Sequence, residues 1–175
     1  MAITRLSHDG NGMLERNRVY TTMVEAQCAL DTTDFPSGCE VGSIVAVDKV
    51  AGKVKLSGSV KGILANTERT PDQFHPGLKN FKVPKGGMAV VLFMEQGVEF
   101  STNTVCYDTA EFASETAFIT ALDAVGTTAL YGIQDATTGA IKVTATSTGA
   151  NLTVVKKTTM PDGQIGVKFF ATSSL

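Results

Sequence analysis

Apolar residues in this chain come in short runs, many alternating with polar ones, and clusters of Gly, Pro, Asn, Asp, Ser and Thr separate the runs. An amphipathic helix needs an apolar stripe at a 3.6-residue period over ten or more positions, whereas a half-buried strand needs only a few residues at period two. Most of the chain meets only the second condition. The expected fold is therefore mainly β, with short antiparallel strands in a β-barrel or sandwich-like unit followed by a small α+β unit with one helix. Composition suits this reading, since 43% of the residues are apolar and 18% charged. A chain of 175 residues is also long enough to bury a core without disulfide or metal staples.

Residues 1–18 are polar, carry Gly10 and Gly12 and show no sustained period, which reads as an extended N-terminal arm. Residues 19–107 read as a β domain. VYTTMVEAQ is strand-like and is followed by the turn cluster DTTDFPSG. GSIVAVDKVAGKVKLSG then reads as two strands joined near Val50-Ala51-Gly52, with Val54 and Leu56 alternating with Lys53, Lys55 and Ser57. VKGILANTE starts as a strand and enters a loop, Asn66 to Lys79, that holds Pro71 and Pro76 and few large apolar residues. A long loop without core residues is a contact candidate. The run Met88 to Met94 is almost wholly apolar and predicts a strand buried on both faces.

Residues 108–175 read as a helix followed by a β-meander. Asp108 with Glu111 three positions on resembles a capping box, Phe112, Phe118, Ile119, Leu122 and Val125 give an approximate stripe, and Gly126 supplies a stop. The predicted helix spans Asp108 to Val125, with Ser114 as an alternative start. Its carboxylates Asp108, Glu111, Glu115 and Asp123 have no basic partner within the segment and read as a solvated face or as a surface for a basic partner. ALYGIQD, AIKVTATS, NLTVVKK and QIGVKFFA are four strands separated by ATTG, TGA and MPDG, each separator bearing a turn glycine.

Chemistry-bearing patterns are sparse. A net charge of −2 argues against nucleic acid as a partner, no run of 18 apolar residues predicts a membrane span, and the opening MAITRLSHDGNG has no apolar core of the kind a signal peptide needs. Cys28, Cys39 and Cys106 are odd in number and form no C-x-x-C, which points to free thiols rather than a disulfide or zinc framework. His8 and His75 are the only histidines, and Cys106, which a Cys–His pair with His75 would need, sits in a strand-like apolar setting where cysteine acts as a small hydrophobe. Asp9, Asp31, Asp34, Asp48, Asp72, Asp108 and Asp162 stand beside turn residues, where aspartate bonds its own backbone. No phosphate cradle or calcium-loop spacing occurs, and the Asn151-Leu152-Thr153 sequon carries no implication without secretion. The expectation is a protein that is not an enzyme and uses no cofactor or metal.

The order of the segments adds a resemblance. G-S-I-V-A-V-D leads to K-V-K-L, then G-I-L-A-N-T-E, a Gly/Pro loop ending G-L-K-N-F-K-V-P-K-G-G, A-V-V-L-F-M and V-E-F-S-T-N-T-V-C-Y-D. This run, from Gly42 to Asp108, resembles the capsid decoration (cement) proteins of tailed bacteriophages, and the Thr-rich C-terminal part is similar in style to phage virion proteins generally. The resemblance implies a protein made in the host bacterial cytoplasm that joins the outer surface of the capsid. There it would act as a homotrimer that clamps neighbouring major capsid protein subunits through arms and exposed strand edges, without nucleic acid or membrane. In the arm and the proline loop, the contact residues so implied are Arg5, His8, Arg16, Arg69, Gln73, His75 and Lys79. Competing readings are a tail tube, baseplate or connector component and, further off, a carbohydrate-binding adhesion module, which the absence of Trp disfavours.

Overall fold

The computed structural model describes residues 2–7, 12–18, 24–65 and 82–175. In chain order the strands are β1 (Ile3–Arg5), β2 (Leu14–Arg18), β3 (Val24–Leu30), β4 (Cys39–Glu40), β5 (Ile44–Asp48), β6 (Lys53–Lys55), β7 (Lys61–Leu64) and β8 (Lys82–Val83). There follow β9 (Met88–Phe93), β10 (Glu99–Thr102), β11 (Val105–Asp108), the helix α1 (Glu115–Asp123), β12 (Tyr131–Gln134), β13 (Ile141–Thr144), β14 (Leu152–Thr159) and β15 (Ile165–Ala171). The fold is mainly β, as the short alternating segments require.

Five strands close into a barrel in the order β3-β6-β5-β7-β9, with β9 returning to pair β3 from Val24↔Phe93 to Ala29↔Met88. The β5–β6 hairpin turns where Val50-Ala51-Gly52 stands: the Asp48 carboxylate accepts from the N–H groups of Val50 (3.0 Å) and Ala51 (2.9 Å). Side chains alternate along these strands between two interiors. Val45, Val47, Leu64, Ala89 and Val91 fill the barrel with Leu30, Val54 and Val83, and Phe35 from the DTTDFPSG turn joins them. Their sequence neighbours Ile44, Ile63 and Leu92 lie in a second core. The apolar run of β9 is thus buried on both faces at Ala89, Val91, Leu92 and Met94, while Met88 at its start is 50% exposed. A short ribbon of β4 and β8 stands beside the barrel.

The second core belongs to an eight-stranded sheet of order β1-β11-β13-β12-β14-β15-β10-β2. β10 and β11 occupy the second place from opposite ends, yet only Asn103 and Thr104 separate them in the chain. Such a link spans about 11 Å at most. The sheet must therefore curl until its two ends meet at this dipeptide. Inside the curl, Phe100 lies opposite Phe169 in the β10–β15 ladder with ring centroids 5.6 Å apart. Val105, Tyr107, Ile141, Val143, Leu152, Val154 and Val167 pack around them.

Two expectations meet corrections here. Helix α1 begins at the alternative cap, Ser114, whose hydroxyl accepts from Ala117 N–H at 3.2 Å. Asp108 cannot open a helix because it is the last residue of β11, paired with Ile3, and its carboxylate instead accepts from Ala110 N–H. The helix ends at Asp123, just before Gly126 with φ of 113°. The C-terminal strands also do not form a simple meander: β12 lies between β13 and β14, because β13 uses its other edge to pair parallel to β11. The segment expected as an extended arm supplies both terminal strands, β1 and β2, and one sheet joins strands from both sides of the expected 107/108 boundary.

The acidic groups around α1 are engaged within the fold. Glu111 accepts from the Thr144 hydroxyl and Ala145 N–H, Glu115 from Ser7, and Asp123 pairs with Lys157. Phe118 and Leu122 turn inward, and Phe118 stacks on Tyr107 at 4.8 Å and meets Phe112 edge-on at 5.2 Å. Substituting Phe118→Ala should cost about 3–5 kcal/mol, the range for deleting a buried aromatic side chain, as measured by chemical denaturation.

Candidate interaction surface

Where the ends of the curled sheet meet, polar backbone from several segments is enclosed, and each group needs a partner. The TNT run at the β10–β11 junction supplies them. Asn103 Oδ1 accepts from Met13 N–H at 2.6 Å, the Thr102 hydroxyl donates to the Met13 carbonyl at 2.5 Å and accepts from Thr104 N–H at 3.0 Å, and the Thr104 hydroxyl donates to the Val41 carbonyl. All three of these side chains are buried. Packing is close enough to dictate glycine twice. A Cβ on Gly12 would lie 1.7 Å from the Thr104 hydroxyl oxygen, and one on Gly42, whose φ is 90°, would lie 2.2 Å from that of Thr102.

The same region joins sheet to barrel. Arg5 in β1 grips both carboxylate oxygens of Glu40 in β4, and Glu40 also accepts from Gly12 N–H at 2.9 Å. Farther along the junction, Ile44 N–H donates to the Gly139 carbonyl at 2.7 Å. The Gln134 amide donates to the carbonyls of Ile44 (2.9 Å) and Leu56 (2.7 Å). Sequence reasoning read the TNT run as ordinary strand and assigned no role to Glu40 or Gln134. The one available signal was an Asn between two Thr residues in the middle of the strand-like run VEFSTNTVCYD.

Of the residues singled out for contact, His8, Arg69, Gln73, His75 and Lys79 lie outside the described residues, as does the loop Asn66 to Lys79. Arg5 is committed to Glu40. Arg16 is in β2, opposite Phe100 of β10. Among the described residues, β2 is the terminal strand of the sheet and has a neighbour on one side only, so Leu14–Arg18 presents a backbone edge. At the barrel, Val50 on the β5–β6 turn is 99% exposed between Lys49 and Lys53.

Side-chain chemistry elsewhere is quiet. Burial pushes the Cys39 thiol up to about 11 and that of Cys106 to about 12, so both are protonated at neutral pH and poor nucleophiles. The three cysteines are free. Among the described residues no group of His, Cys, Asp or Glu gathers in a way that could hold a metal, and no helix is long and apolar enough to cross a membrane. Several turn aspartates bond their own backbone, as their positions predict. Asp34 differs, accepting from Leu56 N–H, just beyond the neighbouring strand β6, at 2.9 Å. Asp48 is held down to about 2 by the Ala51 N–H and the Lys55 ammonium. The amide of Asn151, in the sequon, donates to the Ser173 hydroxyl and the Ser174 carbonyl.

Two outcomes follow from this geometry. Thr104→Val leaves the buried Val41 carbonyl without its side-chain donor and should cost about 1–3 kcal/mol in chemical denaturation. Native protein treated with iodoacetamide at pH 8 should remain unmodified at Cys39 and Cys106 and become modified at both once denatured, as read by peptide mass spectrometry.

The chain matches no protein-family model, and searches of curated proteins and of solved structures likewise find no match.

Proposed function

We propose that this chain is a non-catalytic structural protein of a phage virion, one that binds the outside of the head and stabilises contacts between major capsid subunits. The observation that carries the reading is the terminal place of β2, which leaves the main-chain edge of Leu14–Arg18 with a sheet neighbour on one side only among the described residues. An edge of this kind is a template for strand addition by an extended segment of another protein, and repeated weak contacts on one lattice combine into tight attachment. Further support comes from the raised thiols of Cys39 and Cys106, which suit packing better than catalysis, and from the resemblance of the Gly42 to Asp108 run to head decoration proteins. The contact residues expected in the proline loop, Arg69, Gln73, His75 and Lys79, belong to the same proposal, as does assembly as a trimer.

The test is direct binding. Purified chain is mixed with expanded phage heads lacking it, and bound copies are counted after sedimentation and located by cryo-electron microscopy. Binding at repeated sites on the outer surface, with heads more resistant to heat, is the expected result, and joint alanine substitution of Arg69, Gln73, His75 and Lys79 should weaken it. A chain found in the tail, or one that ignores heads, would sink the reading.

A further inference from the structure

We propose that the side chains of the sheet seam form a strand-accepting site for an extended segment with the pattern of residues 2–18, and that a second copy of this chain supplies such a segment in exchange. This goes beyond the capsid role and does not rest on it. The ground is the way in which the described parts of the segment, residues 2–7 and 12–18, are held.

Recognition runs mainly through the main chain. Met13 is held at both its polar backbone groups, the N–H by Asn103 and the carbonyl by Thr102. Gly12 N–H donates to Glu40, Leu6 N–H donates to the Val105 carbonyl at 2.9 Å, and the Ala2 carbonyl accepts from Thr109 N–H at 3.0 Å. The ladders add β1 against β11 and β2 against β10. Side-chain selection is narrow: Leu6 and Met13 are 1% and 5% exposed, Arg5 meets Glu40, and position 12 admits only glycine against Thr104. The site thus takes a peptide with an apolar anchor, a Gly–apolar pair and an arginine.

Each group that receives the segment, from Glu40 to Glu115, belongs to the body of the protein. A second copy presents the same groups, so exchange keeps every bond and changes only which chain carries it. The balance between own and foreign segment is then set by concentration against the effective concentration of the tethered one.

The experiment uses the full chain. A fluorescent synthetic peptide with the sequence of residues 2–18 is titrated in and followed by anisotropy, beside a Gly12→Ala peptide. In parallel, two differently tagged full-length copies are incubated together at high concentration and purified by one tag. Saturable peptide binding is expected, at least about tenfold weaker for the Gly12→Ala peptide, with both tags recovered together and less so in excess wild-type peptide. Absent or non-discriminating peptide binding overturns the proposal, as do tagged copies that never co-purify or co-purification that excess peptide leaves unchanged.

Discussion

The link of two residues between β10 and β11 is the constraint on which the rest of the structure depends. Because Asn103 and Thr104 connect strands near opposite ends of one sheet, the sheet has to curl, and curling creates the enclosed space that Phe100, Phe169, Tyr107 and their neighbours fill. Enclosure removes water from the polar backbone at the meeting line, where an unsatisfied group costs about 1–3 kcal/mol. Thr102, Asn103 and Thr104 are short polar side chains able to bond the backbone of neighbouring segments, and they do so toward Met13 and Val41. Bulkier residues would not fit, as the approach of Gly12 and Gly42 to the two threonine hydroxyls makes plain.

Barrel and sheet are mechanically one body for a related reason. Strands β5, β7 and β9 send alternate residues into the barrel and into the second core, so neither core is complete without them. The Gln134 amide, bonded to the carbonyls of Ile44 and Leu56, and the Arg5–Glu40 pair tie further polar groups across the junction. A long domain boundary through this region would expose apolar surface on both sides, which explains why strands from both halves of the chain share a sheet.

Much of the charge that looked available for partners is used inside the fold. Arg5, Glu111, Glu115 and Asp123 all have internal partners, and the deepest thiols are protonated. What the described surface offers instead is backbone edge, at β2, and an apolar turn tip at Val50. Both suit recognition by shape and main chain more than by a catalytic constellation. The assembly role proposed above rests on this together with the resemblance drawn from the sequence.

Strand identity was legible in the sequence because it is local: alternation in KVKLS, the apolar run of β9 and the glycines of ATTG, TGA and MPDG act over a few residues. Gly139, Gly149 and Gly163 do adopt positive φ. The helix was legible in kind, while its start at Ser114 rather than Asp108 was decided by β1, which claims Asp108 for a ladder. The N-terminal segment looked like an arm because polar, aperiodic residues carry no local signal for a strand at a sheet end. Its place depends on bonds to residues far along the chain, such as Met13 to Asn103, separated by 90 positions. By itself, the sequence determined a mainly β protein of short strands and tight turns with one helix. Only the tertiary structure decided the closed barrel, the curl and the polar seam, because those arise from which distant edges meet and from the polar groups their meeting removes from water.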